Sequence, residues 1–265
     1  MVSEGKVPAG ERAGSSAGER LFARYAYAPN HLGYCGPADT AALAELAETG
    51  STDADIRAIA SRFSGAWPYM SVLAELAGID DPLDERVVRA YWTGGDLLST
   101  IDNEEFGRKL LDWIGGQAGH YWSHLTADLL PEAVPTHTFH VFGVYPWTRL
   151  LKSPTPEPAV QVLDSCRIRW GRVTSVSCDS GSGSGGYGKA TIVTSHLTWD
   201  GERLGLGEDV EEKVEPGFVA APRPGEWLAV HWDHASDRLT DDEVGHLKHW
   251  TQWQLTATNK RLNSP

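Results

Sequence analysis

Pro224-Gly-Glu-Trp-Leu-Ala-Val-His-Trp-Asp-His-Ala-Ser-Asp-Arg-Leu-Thr-Asp-Asp-Glu-Val-Gly-His-Leu-Lys-His-Trp250 changes its structural period within a single run. Pro224 and Gly225 mark a turn, and Trp227 to His231 reads as a short strand. Thr240 followed three residues later by Glu243 is a capping box. Asp241 and Asp242 add first-turn acids that suit the positive end of a helix dipole, so a helix is predicted from Thr240 to about Asn259. A strand ending on a histidine and a terminal helix together set the fold class of the C-terminal half.

Upstream, residues 162–176 and 190–199 also read as strands, with a period of two or runs of β-branched residues, and Asp200-Gly201 is a hairpin signal. Cys166 opens the first of these in Cys-Arg-Ile-Arg-Trp-Gly-Arg-Val, so one cysteine and one histidine, His231, stand at strand ends of a small β unit. From Leu21 to Leu151 the period is instead helical, with apolar residues three to four apart in 40–47, 53–63 and 103–114. Between the halves, Lys152-Ser-Pro-Thr-Pro-Glu-Pro-Ala159 carries Pro154, Pro156 and Pro158, which are poor in backbone donors and stiff. The predicted organisation is α+β: a disordered leader over 1–20, an α-helical domain over 21–151, a Pro-rich linker over 152–160, and a small OB-like β-barrel with a C-terminal helix over 161–265.

The chain has 265 residues, 41% of them hydrophobic and 22% charged, which is the composition of a folded protein with room for two cores. No run of about eighteen apolar residues is present, so no membrane partner is expected. The residues before Leu21 have no apolar core, which excludes a secretory signal and points to the cytoplasm. A formal net charge of −13 argues against nucleic acid as a partner, because phosphate backbones are held by clustered cations. Three cysteines, Cys35, Cys166 and Cys178, are expected to stay reduced and open to reactivity or metal binding.

The order of these signals resembles the HypC/HupF family of hydrogenase assembly chaperones over roughly residues 164–255. Cys166, Gly171 and Val173 fall on that family's Met-Cys-Leu-Ala-Ile-Pro-Gly-x-Val opening. Gly225, Glu226, Trp227, Val230, His231, Ala235, Leu239 and Glu243 fall on its second motif and the following helix. This chain departs in having an internal cysteine, Trp170 in place of the proline, and Asp233 and His234 in place of Gly-Phe. The N-terminal half, through Phe22-Ala-Arg-Tyr25 and Leu32-Gly-Tyr-Cys-Gly-Pro37, is similar to uncharacterised actinobacterial proteins associated with hydrogenase gene neighbourhoods.

The resemblance implies an OB-like barrel and a Cys/His site at Cys166 and His231. That site would hold iron transiently as an iron-cyanide-carbonyl unit. The implied partners are hydrogenase maturation proteins and the precursor of the [NiFe]-hydrogenase large subunit. Asp233 and His234 are possible additional ligands, as is Cys35, which sits in a Gly-bounded turn before a helix. From the residues alone two other readings stay open: a cysteine-dependent enzyme using Cys35 or Cys166 with a histidine, and a protein-binding scaffold without metal chemistry.

Other motifs read as structural. Gly183-Ser-Gly-Gly-Tyr-Gly-Lys189 approaches a phosphate-binding loop, but Ala190 stands where a Ser or Thr would hold Mg²⁺ and a strand follows in place of a helix. His120 with His124, and His137 with His140, have metal-compatible spacing on a helix face, yet the second pair lies in an aromatic-rich stretch that suits packing. Eleven tryptophans suit a large core or a binding surface.

Overall fold

A computed structural model describes residues 16–38, 40–115, 126–178 and 187–264. The helical half consists of α1 (Ala17–His31), α2 (Thr40–Thr49), α3 (Ile56–Ala60), α4 (Trp67–Leu76), α5 (Glu85–Thr93) and α6 (Asn103–Gly115). After these comes a single helical turn, α7 (His137–Phe139), which continues as a π-helical turn over His140–Val144. The starts of several helices are fixed by capping side chains: Ser16 and Glu19 form a capping box on α1, Asp55 caps α3 and Asp84 caps α5. Ser16 to Arg20, expected at the end of a disordered leader, are therefore the cap and first turn of α1, while residues 1–15 lie outside the described residues.

The Pro-rich segment also departs from expectation. Helix α8 (Glu157–Cys166) starts inside it, with Pro158 in the first turn, where a missing N–H costs nothing because the first helical amides have no intrahelical acceptor. Cys166 consequently ends a helix instead of opening a strand, and the first strand, β1 (Arg169–Cys178), begins three residues later. It is followed by β2 (Tyr187–Trp199), β3 (Leu204–Val214), β4 (Trp227–His231) and β5 (His234–Leu239), and then by α9 (Asp241–Leu262) with the expected Thr240–Glu243 capping box. Most of the Gly-rich loop that resembles a phosphate-binding loop, and the pair His120 and His124, lie outside the described residues.

The five strands form one open antiparallel sheet in the order β3-β2-β1-β4-β5. No strand ladder closes it into the expected barrel among the described residues. Its edges approach at one place, where Glu215 N–H donates to Asp233 O at 3.0 Å and Ala235 N–H donates to Glu215 O at 3.0 Å. The β4–β5 hairpin turns on Trp232 and Asp233, which adopt φ of +53° and +60°. Left-handed backbone at a bulky Trp is costly, so the surroundings must hold it there.

Helices and sheet share a core. Leu21, Phe22 and Tyr25 of α1 lie in the same buried cluster as Trp170 of β1, Leu239 of β5 and Leu247 of α9. Arg24 of α1 bonds Asp237 of β5 at 2.6 Å and the Phe218 carbonyl at 2.8 Å. The inner end of β4 is thereby pressed against α1 and α5, and the site forms at this junction. Among the described residues no helix is long and apolar enough to cross a membrane.

Candidate functional site

Three buried side chains from three separate segments meet at this junction. His137 opens α7, Cys166 ends α8 and His231 ends β4, and one ligand atom from each lies within 4.8 Å of the other two. Cys166 reaches the junction because its helix must stop there: Arg167 leaves the helical region with φ −66° and ψ 149°, and Trp232 N–H donates to Ser165 O at 2.9 Å. His137 Nε2 lies 2.9 Å from the Cys166 carbonyl oxygen and 3.9 Å from its sulfur.

The tautomer of His231 follows from one contact. Its Nδ1 is 2.8 Å from the carbonyl oxygen of Tyr25, which can only accept, so Nδ1 carries the proton and Nε2 keeps its lone pair. That Nε2 is buried and has no hydrogen-bond partner among the described residues. An orphaned lone pair inside a protein is costly unless something binds it.

His137 shows the same deficit. Tyr91 Oη lies 2.5 Å from Gly65 O and 2.9 Å from His137 Nδ1, and His137 Nε2 lies against Cys166 O. Three contacts in a row need three protons, yet a phenol and a neutral imidazole supply two. Protonating His137 would complete the chain, but burial, with His231 and His140 nearby, pushes its pKa well below the ordinary value, although the Cys166 carbonyl opposes the shift. With Nδ1–H donating to Tyr91 Oη and the phenol donating to Gly65 O, His137 Nε2 keeps a lone pair, the form in which it could hold a metal.

Electrostatics points the same way for the other members. Burial lowers the pKa of His231 to about 4 against the carbonyls of Tyr25 and Cys166, and lowers that of His140, also through His231, to about 4. All three imidazoles are therefore neutral near pH 7, which is the ligating form. Burial, and secondarily Cys35, pushes the Cys166 thiol far up, while the buried indole N–H of Trp232 acts against that rise. Burial therefore favours the protonated thiol, and a bound cation is one thing that would favour the thiolate. One thiolate and two imidazoles form a donor set for a soft or borderline transition metal.

A small cavity of about 30 Å³ adjoins these groups, and Cys35, Tyr34, His140 and Tyr145 contribute to its lining. Asn30 at the end of α1 donates from Nδ2 to Cys35 O at 2.8 Å and to Pro37 O at 2.5 Å. Gly36, at φ +77°, lies so close to Phe63 that a Cβ would stand 2.3 Å from its ring. Together they hold the 32–37 turn over the cavity. Burial raises the Cys35 thiol to about 12, so the helix that follows does not activate it. Cys35 and Cys166 are both free thiols.

The structure brings Cys166 and His231 together with Cys35 beside them, and adds His137, which sequence spacing paired with His140. His140 itself faces Tyr69, with 3.2 Å between Nδ1 and Oη. Asp233 and His234 do not join the group. Asp233 turns outward at the hairpin and bonds Arg169 at 2.5 Å, and the His234 ring packs between Tyr27 and Phe218. A continuing strand would have put Asp233 on the His231 face, but the hairpin turn intervenes. The sequence signal for His137 was present in Thr136-His-Thr-Phe-His140, but nothing local told which of its two imidazoles would meet a cysteine 29 positions away.

Residues 14–265 match the model of a family of unknown function (DUF6390), and the chain belongs to that family. Comparison with curated proteins and with solved structures finds no match.

Proposed function

We propose that the protein holds a soft transition-metal ion between Cys166, His137 and His231, and that it serves as an accessory protein of [NiFe]-hydrogenase maturation. In that role it binds or delivers the iron-cyanide-carbonyl unit in the cytoplasm, acting with other maturation proteins on the large subunit precursor. The observation that supports the metal reading is the convergence of one ligand atom each from Cys166, His137 and His231 within 4.8 Å of one another, with no hydrogen-bond partner for His231 Nε2 among the described residues.

The hydrogenase role rests on the resemblance of residues 164–255. Cys166 and His231 occupy the two motif positions in question, and the bridge between Glu215, just after β3, and His234 of β5 supports an OB-like reading of the sheet. Three protein donors leave coordination positions for ligands that the iron brings.

The enzyme reading is weaker on two grounds. Both thiols are pushed toward the protonated state, and neither has an imidazolium to stabilise a thiolate. The cavity of about 30 Å³ holds on the order of two water-sized groups, whereas sites for organic ligands span roughly 300–1,000 Å³. A bare ion matches that size and an organic substrate does not.

The test is anaerobic purification of the full chain co-expressed with hydrogenase maturation proteins, followed by metal analysis and infrared spectroscopy. One iron per chain with cyanide and carbonyl bands, lost in Cys166→Ser and in His137→Ala while circular dichroism is unchanged, is the expected result. Metal without those bands would remove the hydrogenase role and leave the metal site. No metal in the wild type, or full retention in both variants, would overturn the site.

A further inference from the structure

We propose that Cys35 is a fourth and exchangeable protein ligand, so that a bare ion is held by two thiolates and two imidazoles, and an ion carrying its own ligands displaces Cys35. The inference rests on the metal reading above and concerns the position that the three convergent donors leave open. A thiol lining a cavity is not by itself a ligand. What points to one here is the orphaned, fully buried Nε2 of His231, which belongs to the same cavity wall as Cys35 and Cys166.

The hold on the 32–37 turn suits this role. Asn30 grips the backbone carbonyls of Cys35 and Pro37, and Gly36 is seated on Phe63, so the turn is fixed without using the Cys35 sulfur. The side chain can then turn about χ1 between staggered positions while the backbone stays in place. His140 is the rival for the open position. Its Nδ1 faces Tyr69, and its Nε2 abuts the Gly65 backbone so closely that a Cβ there would lie 2.7 Å away, which leaves the ring little freedom to turn.

Cys35 also stands on the outer wall. Its neighbour Tyr34 is 44% exposed and stacks on Trp232 with ring centroids 3.9 Å apart, whereas Cys166, His137 and His231 are buried. The ligand nearest the solvent is the one that an incoming group meets first. Four donors of this kind favour a tetrahedral ion such as Zn²⁺ or Fe²⁺, and loss of one leaves an open position for a small anionic or neutral diatomic ligand.

Co²⁺ is the probe, added anaerobically to the full chain, because its thiolate charge-transfer absorption scales with the number of bound sulfurs. The expected outcome is a tetrahedral two-thiolate spectrum in the wild type and about half the charge-transfer intensity in both Cys35→Ala and Cys35→Ser, with unchanged far-ultraviolet circular dichroism. Addition of cyanide to the wild-type Co²⁺ complex should reduce the intensity to the level of those variants. Identical spectra in wild type and Cys35→Ala would overturn the proposal while leaving the three-ligand site intact. Absence of any thiolate band in the wild type would overturn both.

Discussion

His231 Nδ1 donates to the carbonyl oxygen of Tyr25 at 2.8 Å, joining the end of β4 to the middle of α1 across 206 positions of sequence. This single bond does two things. It ties the sheet to the helical half, and it fixes the imidazole so that the opposite nitrogen faces Cys166 and His137. The structural junction and the chemical site are therefore one object, and changes to either should be felt in the other.

Tyr91 is the corresponding support for His137, since its hydroxyl lies between Gly65 O and His137 Nδ1. Tyr91→Phe keeps the ring but removes the group that fixes the imidazole. Metal affinity should fall by about 10- to 100-fold, the usual effect of losing an outer hydrogen bond to a ligand. Stability of the metal-free protein should fall by about 1–3 kcal/mol from the buried groups left unpaired. Isothermal titration with Co²⁺ and urea melts measure the two effects separately, and an unchanged affinity would show that Tyr91 only packs.

Acid should destabilise the protein in a defined window. His231 and His140 have folded pKa values of about 4, below the unfolded value of about 6.5, so the unfolded chain binds more protons between those limits. Through these two groups stability should fall as pH drops from about 6.5 toward 4, at a cost on the order of 3 kcal/mol per histidine. His137, shifted in the same direction, adds to the fall. The groups that face these rings include Arg169, Cys166, His137, His234 and the Tyr25 carbonyl for His231, and Tyr69, Tyr145, His137 and His231 for His140. Urea midpoints that do not change between pH 7 and 5 would contradict neutral buried imidazoles.

A bound metal should stabilise the fold, because its ligands come from α7, α8 and β4 and converge only in the native state. At a free ion concentration of about 100 Kd the gain is about 2.7 kcal/mol, which for a chain of this size raises Tm by roughly 5–10 °C. The rise should vanish in Cys166→Ser. An equal rise in that variant would place the ion elsewhere.

The C-terminal half is not expected to stand alone. Trp170, Leu239 and Leu247 share a core with Leu21, Phe22 and Tyr25, and Asp237 pairs with Arg24. A fragment of residues 160–265 exposes that apolar face and leaves the Asp237 carboxylate, the His231 ring and the Phe218 carbonyl without partners from α1. It should aggregate or show a broad, low-cooperativity melt, and a sharp melt matching the full chain would show that the shared core contributes little.

Much of this molecule was legible in the chain. The capping box at Thr240 and Glu243 placed α9, the run Trp227 to His231 is β4 to the residue, and the change from helical to two-residue period separated the helical half from the sheet. Such signals are local, because periodicity and caps depend on neighbours within a turn or two. The same local rules misread Pro156 and Pro158, since proline opposes a helix interior but suits a helix start. They also could not foresee the β4–β5 turn, where Trp232 and Asp233 adopt a backbone that their residue types disfavour.

At the site, Cys166, His231 and Cys35 were singled out by type, although Cys166 ends a helix where a strand start was expected, and His137 was not separable from His140. Which imidazole meets the sulfur depends on where α8 stops and on how α5 places Tyr91, and neither is encoded near Thr136. The sequence determined the donors and the elements that carry them. Only the tertiary structure decided that α1, α5, α7, α8 and β4 converge, because burial of long-range apolar faces, not any local signal, brings His137, Cys166 and His231 within 4.8 Å of one another.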